Sequence, residues 1–122
     1  MASSPKQNDV VVFLPKGNER SHFYIKRVVA CPGDRVKVED KILYVNDVPS
    51  TIIVSEINDA GIAMSEITLG EDEYFCMGDV PSISEDSRNA NVGVVKKNYI
   101  LGKVWCSFML EDGKKIRLFR WV

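Results

Sequence analysis

The sequence has few of the residues that bind metals or cross-link small proteins. Its 122 residues include a single histidine, His22, and three well-separated cysteines: Cys31, Cys76 and Cys106. No Cys-x-x-Cys spacing occurs, so we expect no structural zinc site. Each cysteine has apolar neighbours, which favours buried thiols that pack as small hydrophobic side chains. A Ser-His-Asp or Cys-His mechanism would depend on His22 alone, so acyl-transfer chemistry would need another base.

Long apolar runs and a surplus of charge are also lacking. The longest apolar run, residues 10–14, has five residues, whereas a membrane-spanning helix needs about 20. We therefore expect neither a transmembrane helix nor a secretory signal peptide. The 16 Lys and Arg nearly balance the 17 Asp and Glu, leaving a net charge of −1, and nucleic-acid modules usually carry a basic surplus. The composition predicts a soluble, compact, single domain. From the charge balance and the Cys and His pattern we also expect no nucleic-acid partner and no metal.

The sequence pattern is typical of an antiparallel β protein. β-branched and alternating segments are separated by turn residues, and no segment of ten or more residues has a convincing helical period. Pro32-Gly33 predicts a type II turn, while Asp40-Lys41 and Asn46-Asp47 predict tight turns. The predicted strands cover residues 9–14, 21–31, 35–39, 42–45, 51–55, 65–69, 73–77, 92–95, 100–109 and 115–122. The fold class is therefore all-β with antiparallel sheets.

Two adjacent cations, Lys26 and Arg27, fall inside the second predicted strand. Because side chains alternate along a strand, Lys26 shares a face with Tyr24 and Arg27 lies on the other face. If one face is core, one cation is partly desolvated or paired. Desolvation lowers the pKa of a lysine, and a neutral amine can serve as a general base near neutral pH. The alternative is a solvated face with the ammonium extending past Tyr24, and periodicity alone favours it.

A polar loop covers residues 80–91, which is long for a passive connection between two strands. Asp86 and Arg88 are two residues apart and can pair directly. Ser84 and Ser87 offer hydroxyl groups that can orient a polar neighbour. The alternative is an ordinary loop whose Ser and Asp side chains bond to their own backbone.

Taken in order, several segments resemble one family. They are Asp9-Val-Val-Val-Phe13, Tyr24-Ile-Lys-Arg-Val-Val29, Pro32-Gly33-Asp34, Leu43-Tyr-Val-Asn46, Met77-Gly-Asp79, Asp86-Ser-Arg88 and Ile100-Leu-Gly-Lys-Val104. From residue 9 to about residue 109 the chain resembles the catalytic region of bacterial type I signal peptidases. These are Ser/Lys endopeptidases that remove signal peptides from exported preproteins. The resemblance implies their coiled, barrel-like β domain and no cofactor.

The resemblance also implies roles for individual residues. Lys26 would be the general base, acting as a neutral amine, and Ser84 would donate or accept a hydrogen bond that orients it. Asp86 and Arg88 would form an ion pair beneath the site. The substrate would lie as an extended strand, with small residues before the cut bond. Further structural support of the site is assigned to Gly78, Asp79 and Arg27.

The chain departs from the family pattern in two places. The family's nucleophile box, Ser-Met-x-Pro-Thr, lies upstream of the first strand and beside a membrane anchor, and residues 1–8 do not match it. Ser3 and Ser4 are the only hydroxyls there and are weak candidates, so no nucleophile is identified. We expect residues 1–8 to be a disordered or vector-derived leader and residues 9–122 an incomplete signal-peptidase-like domain. The family's Gly-Asp-Asn-Arg loop reads Gly78-Asp79-Val80-Pro81 here.

Three interpretations remain. The chain is a portion of a signal peptidase without its anchor and nucleophile, an inactive relative that serves in binding or in pilus or secretion assembly, or a self-cleaving repressor peptidase. The Lys26 and Ser84 matches favour the first, and the Pro-Gly-Asp and Asp-Ser-Arg motifs disfavour the third. We expect the chain alone to be poorly active or inactive. Its expected partners are signal peptides and, through a missing anchor, the membrane surface at the extracytoplasmic face of a bacterial cell.

Overall fold

The computed structural model describes residues 4–109 and 115–120, with backbone alone for residues 105–109 and 115–120. Its strands are β1 Val10–Phe13, β2 Tyr24–Ala30, β3 Arg35–Glu39, β4 Ile42–Val45, β5 Val48–Pro49, β6 Ile67–Thr68, β7 Glu73–Met77, β8 Val95–Lys96, β9 Ile100–Met109 and β10 Lys115–Arg120. All strand pairs in these ranges are antiparallel. The prediction of an all-β fold with antiparallel sheets is confirmed. No helix in the described ranges is long and apolar enough to cross a bilayer.

The strands form two sheets. The larger has the order β10-β9-β1-β2-β7-β8, and the smaller has the order β5-β4-β3-β6. In the larger sheet β2 and β7 are neighbours near the centre, where Val28 pairs with Cys76 and Arg27 with Met77. The turn between β9 and β10, and residues 121–122 of the last predicted strand, lie outside the described residues.

The central strands separate two hydrophobic clusters. Val29 and Phe75 pack in one cluster with residues of the smaller sheet, whereas Val28 and Cys76 pack in the other with Val11 of β1. Because neighbouring residues of a strand point to opposite faces, a strand between two cores must be apolar at consecutive positions. β2 meets this condition from residue 28 to residue 30, but its residues 24–27 are exposed or half-buried. Lys26 and Arg27 therefore lie where the core gives way to the surface.

Two-residue turns connect β3 to β4 and β4 to β5 in the smaller sheet. Asp40 and Lys41 have φ angles of 50° and 67°, and Asn46 and Asp47 have φ angles of 54° and 68°. Positive φ at both central residues is the signature of the type I′ turn, whose twist matches that of antiparallel strands. The predicted tight turns are confirmed, and neither uses the Asn-Gly pair that favours this type.

The Pro-Gly-Asp motif has a structural explanation. Gly33 has a φ of +86°, as the predicted turn requires. Asp34 then accepts hydrogen bonds from the backbone N–H of Cys31 at 2.8 Å and from Asn46 Nδ2 at 3.0 Å. Asn46 Oδ1 in turn accepts the backbone N–H of Arg35 at 2.9 Å. The Asp34 carboxylate thus joins the turn after β2 to the turn after β4.

The prediction of a strand over residues 51–55 is wrong. Ser50 Oγ accepts the backbone N–H groups of Ile52 at 3.1 Å and Ile53 at 3.2 Å, which bends the chain. Ile53 and Ile57 are buried while Val54 is exposed. Because the Ser50 side chain accepts these backbone N–H groups, they do not enter the hydrogen-bond ladder that a strand would need.

Residues 4–8, which we expected to form a leader, lie against β2. The backbone N–H of Asn8 donates to Val28 O at 2.8 Å, and Gln7 Nε2 donates to Val29 O at 3.1 Å. Pro5 is buried. These contacts extend the pairing between β1 and β2 toward the N-terminus.

The buried thiol of Cys76 is expected to resist alkylation. Cys76 is fully buried and burial raises the pKa of its thiol well above the ordinary value, whereas Cys31 is only half-buried. Because the thiolate is the reactive form, iodoacetamide at pH 8 should modify Cys76 at least about 100-fold more slowly than Cys31, since reaction requires opening of the core. Peptide mass spectrometry of timed samples gives both rates. Equal rates in the folded protein would contradict this burial.

Candidate active site

The loop after β7 folds back against its own strand. The backbone N–H of Ser87 donates to Cys76 O at 3.0 Å, and the backbone N–H of Cys76 donates to Ser87 Oγ, also at 3.0 Å. A short 3-10 helix, Pro81–Ile83, begins at a proline and reverses the chain. This return places Ser84 and Asp86 beside Gly78, at the end of β7 nearest to Lys26.

Lys26, Ser84 and Asp86 form a continuous hydrogen-bonded chain. Lys26 Nζ donates to Ser84 Oγ at 3.1 Å, and Ser84 Oγ donates to Asp86 Oδ2 at 2.8 Å. The backbone N–H of Gly78 also donates to Ser84 Oγ, at 3.1 Å. A serine hydroxyl has one proton and two lone pairs, and all three are used here. Because Ser84 accepts from Lys26, a neutral Lys26 amine keeps its own lone pair available for another proton.

Beneath this chain lies a buried ion pair between Asp86 and Arg88. The two side chains are 0% and 5% exposed, and Arg88 Nε lies 2.9 Å from Asp86 Oδ1. A second bond joins Arg88 Nη2 to Asp86 Oδ2 at 3.1 Å. Arg88 also donates to the carbonyl oxygens of Asp59 at 3.0 Å, Pro81 at 2.9 Å and Ser84 at 3.2 Å. The bidentate geometry and the added donors offset the desolvation of both charges.

Gly78 is required by a close approach. A Cβ at this position would lie 2.5 Å from Ser84 Cβ and 3.6 Å from Lys26 Nζ, and it would overlap Ser84 Oγ. Its backbone N–H also donates to Asp86 Oδ2 at 3.1 Å. Any larger residue would therefore displace the serine that contacts Lys26.

The second cation of the pair, Arg27, has its own carboxylate partner. Arg27 Nε lies 2.8 Å from Asp79 Oδ1, and Arg27 Nη2 lies 3.0 Å from Asp79 Oδ2. Arg27 Nη1 also donates to Asn8 O at 3.0 Å. The seven residues that the resemblance assigned to the site, from Lys26 to Arg88, are thus brought to one region of the structure.

One contact of this region has no signal in the sequence. Tyr24 Oη donates to Glu85 Oε1 at 2.7 Å across 61 residues of chain, and Asn91 Nδ2 donates to the same oxygen at 3.1 Å. Hydrogen bonds from Tyr24 and then Asn91 lower the pKa of Glu85. The bond to Glu85 is also the main reason that the pKa of Tyr24 is raised. Tyr24 and Lys26 share a face of β2, so this contact lies beside the Lys26–Ser84 pair.

Among the described residues, the one N-terminal hydroxyl, that of Ser4, makes no hydrogen bond to Lys26. Ser3 lies outside the described residues, and Ser4 Oγ accepts a hydrogen bond from Lys97 Nζ at 2.9 Å. At the departure from the Gly-Asp-Asn-Arg pattern, Val80 is half exposed and Pro81 is buried at the start of the 3-10 helix.

Comparison with known proteins identifies the family of the chain. The family model described as "Signal peptidase, peptidase S26" matches residues 1–109. The chain therefore belongs to the signal peptidase family, peptidase S26, and the resemblance noted from its motifs is confirmed.

Individual relatives include signal peptidases of several bacteria. The chain is 31% identical over 106 residues to a signal peptidase I of Bacillus licheniformis, covering 80% of this chain and 55% of that protein. It is 28% identical over 144 aligned residues to a signal peptidase I of Rickettsia typhi, covering 87% of this chain and 54% of that protein. The chain thus spans about half the length of these relatives. A crystal structure of a signal peptidase I from Enterococcus faecalis V583 has the same fold, with a TM-score of 0.61 at 24% identity over 85% of this chain and 99% of that one.

Removal of the buried carboxylate should destabilise the protein strongly. Asp86→Ala leaves the Arg88 guanidinium buried without its carboxylate, which typically costs about 3–5 kcal/mol of the free energy of unfolding. Glu66→Ala is the matched control, because Glu66 pairs with Arg35 at 3.3 Å on the surface, where such pairs contribute little. Urea unfolding followed by circular dichroism measures both. A similar small loss for the two variants would contradict the importance of the buried pair.

Proposed function

We propose that this chain is the base-bearing region of a signal peptidase I-like serine endopeptidase, which removes signal peptides from exported preproteins. Lys26 is the general base and Ser84 is the positioning residue that orients it. The observation that carries the proposal is the 3.1 Å contact between Lys26 Nζ and Ser84 Oγ. Family membership supports the reaction class.

The hydrogen bonds around Ser84 suit this division of roles. Ser84 commits its proton to Asp86 and accepts from Lys26, so Ser84 is a poor nucleophile in this arrangement. A neutral Lys26 would instead take the proton of a separate serine hydroxyl as that oxygen attacks the peptide carbonyl. Lys26 would then pass the proton to the departing amine and later activate the water that hydrolyses the acyl-enzyme. No residue of this chain is assigned as the nucleophile.

An open sheet edge offers a place for the peptide. Residues 24–26 of β2 pair with β1 on one side, but β7 pairs with β2 only from Arg27 onward. On that second side no described strand pairs with residues 24–26. An extended peptide could add there as a strand, next to Lys26. We propose that residues 9–122 act in this way as one unit on signal peptides, at the extracytoplasmic face of the bacterial membrane.

A cleavage assay tests the assignment of Lys26. We expect the chain of residues 1–122 alone to leave a peptide with a small-x-small motif uncut. A fusion that places the family's Ser-Met-x-Pro-Thr box ahead of residue 9 should cut it after the second small residue. Lys26→Ala in that fusion should lower kcat/KM by about 10²–10⁴-fold, the usual contribution of a general base.

Two substitutions in the loop after β7 distinguish a loss of Lys26 positioning from general damage to the loop. Ser84→Ala should lower kcat by about 100-fold with little change in KM, because the amine of Lys26 loses the hydrogen bond that fixes its position. Ser82→Ala, at an exposed position two residues earlier, should leave both unchanged. If Lys26→Ala cuts as well as the fusion, Lys26 is not the base. Peptide binding without cleavage in any form would instead support the inactive binding protein.

A further inference from the structure

One loop of the smaller half of the structure contacts Arg88 at both its side chain and its backbone. The loop, residues 59–62, lies between β5 and β6 and is called the Gly61 loop here. The carbonyl oxygen of Asp59 accepts a hydrogen bond from Arg88 Nη1 at 3.0 Å. The backbone N–H of Ile62 donates to the carbonyl oxygen of Arg88 at 2.9 Å. The guanidinium and the backbone of Arg88 are therefore bonded to the same loop.

Gly61 lies between these two contacts and approaches Arg88 closely. Its φ angle is +55°, in the left-handed region that favours glycine. A Cβ at this position would lie 2.7 Å from the carbonyl carbon of Arg88 and would overlap the carbonyl oxygen. Asp59 Oδ1 accepts the backbone N–H of Gly61 at 3.0 Å, which supports this conformation. Any larger residue would therefore push the loop and Arg88 apart.

The Gly61 loop is anchored in the core on its other side. Ala63, which follows it, is fully buried, and Ile57, which precedes it, is nearly so. Both pack in one hydrophobic cluster with Val36 and Val38 of β3. Because a close-packed core resists displacement, a clash at this glycine would be relieved mainly by movement of the partner that it meets.

A displacement of Arg88 would reach Lys26 through three contacts. Arg88 pairs with Asp86 at 2.9 Å. Asp86 Oδ2 accepts the Ser84 hydroxyl at 2.8 Å, and Ser84 Oγ accepts from Lys26 Nζ at 3.1 Å. We propose that Gly61 is a further positioning residue of the candidate site, which sets the place of Lys26 by fixing Arg88. This inference rests on the proposed function.

Gly61→Ala and Gly33→Ala form a matched pair that tests the inference. Gly33 also has a positive φ, +86°, but a Cβ there would meet no atom within 4 Å. Both substitutions strain the backbone, and of the two only Gly61→Ala pushes against Arg88. In the full chain, the amide resonance of Gly78 reports the position of the Ser84 hydroxyl, to which this amide donates. Two-dimensional ¹H–¹⁵N NMR should show that resonance shifted in Gly61→Ala and unchanged in Gly33→Ala.

The fusion with the Ser-Met-x-Pro-Thr box gives the catalytic readout. Gly61→Ala should lower kcat about 10- to 100-fold with little change in KM, since a misplaced base slows the reaction without weakening substrate binding. Gly33→Ala should keep both values, with each variant assayed at a temperature where thermal unfolding shows that it is folded. Asp59→Ala should lower kcat less strongly. Asp59→Asn should retain the original kcat, because asparagine keeps the Oδ1 acceptor for the Gly61 amide.

The possible failures can be told apart. A Gly78 resonance that stays in place in Gly61→Ala would overturn the inference whether or not the fusion cuts the peptide. An unchanged kcat of Gly61→Ala, in a fusion that cuts, would overturn the inference and leave the proposed function standing. A fusion that cuts no peptide without any substitution would overturn the proposed function and, with it, the catalytic role of Gly61. If Gly61→Ala does not fold, equal kcat values of Asp59→Ala and Asp59→Asn would contradict the inference.

Discussion

The buried ion pair between Asp86 and Arg88 holds the whole candidate site together. The Arg88 guanidinium donates hydrogen bonds to three backbone carbonyl oxygens of the surrounding loops. Oδ2 of Asp86 accepts hydrogen bonds from the Ser84 hydroxyl and from the backbone N–H of Gly78. A buried charge without its partner is strongly destabilising, so Asp86 and Arg88 stay together and hold the loop segments that they bond to. The position of Ser84, and through it that of Lys26, follows from the pair.

The same interaction explains a site built from two distant segments. β2 leaves the double-sided core at Val28, so Lys26 and Arg27 reach the surface as neighbours on opposite faces. Each then meets a residue of the loop after β7: Lys26 meets Ser84, and Arg27 meets Asp79. Tyr24 adds a third connection through Glu85. These contacts fasten the strand that carries the amine to the loop that orients it.

Much of this arrangement could be predicted from the sequence, for identifiable reasons. The strands are short, β-branched and bounded by turn residues, so the fold class and most strand positions follow from pattern. The Lys26–Ser84 contact followed from resemblance alone, since no local rule links residues 58 positions apart. The bend at residues 51–55 could not be predicted, because Ser50 overrides strand propensity through its side chain. The Tyr24–Glu85 hydrogen bond could not be predicted from the sequence either. The two residues are far apart in the chain, and only the folded backbone brings them together.

In the proposed mechanism Ser84 is an acceptor for Lys26 and a donor to Asp86, which leaves the lysine amine free to take a proton. Neutron crystallography of the deuterated protein would measure this directly. We expect a deuteron on Ser84 Oγ that points to Asp86 Oδ2, with a deuteron of Lys26 Nζ pointing to Ser84 Oγ. A Ser84 deuteron that points to Lys26 Nζ would contradict it, because the lone pair of the amine would then be occupied by its own positioning residue.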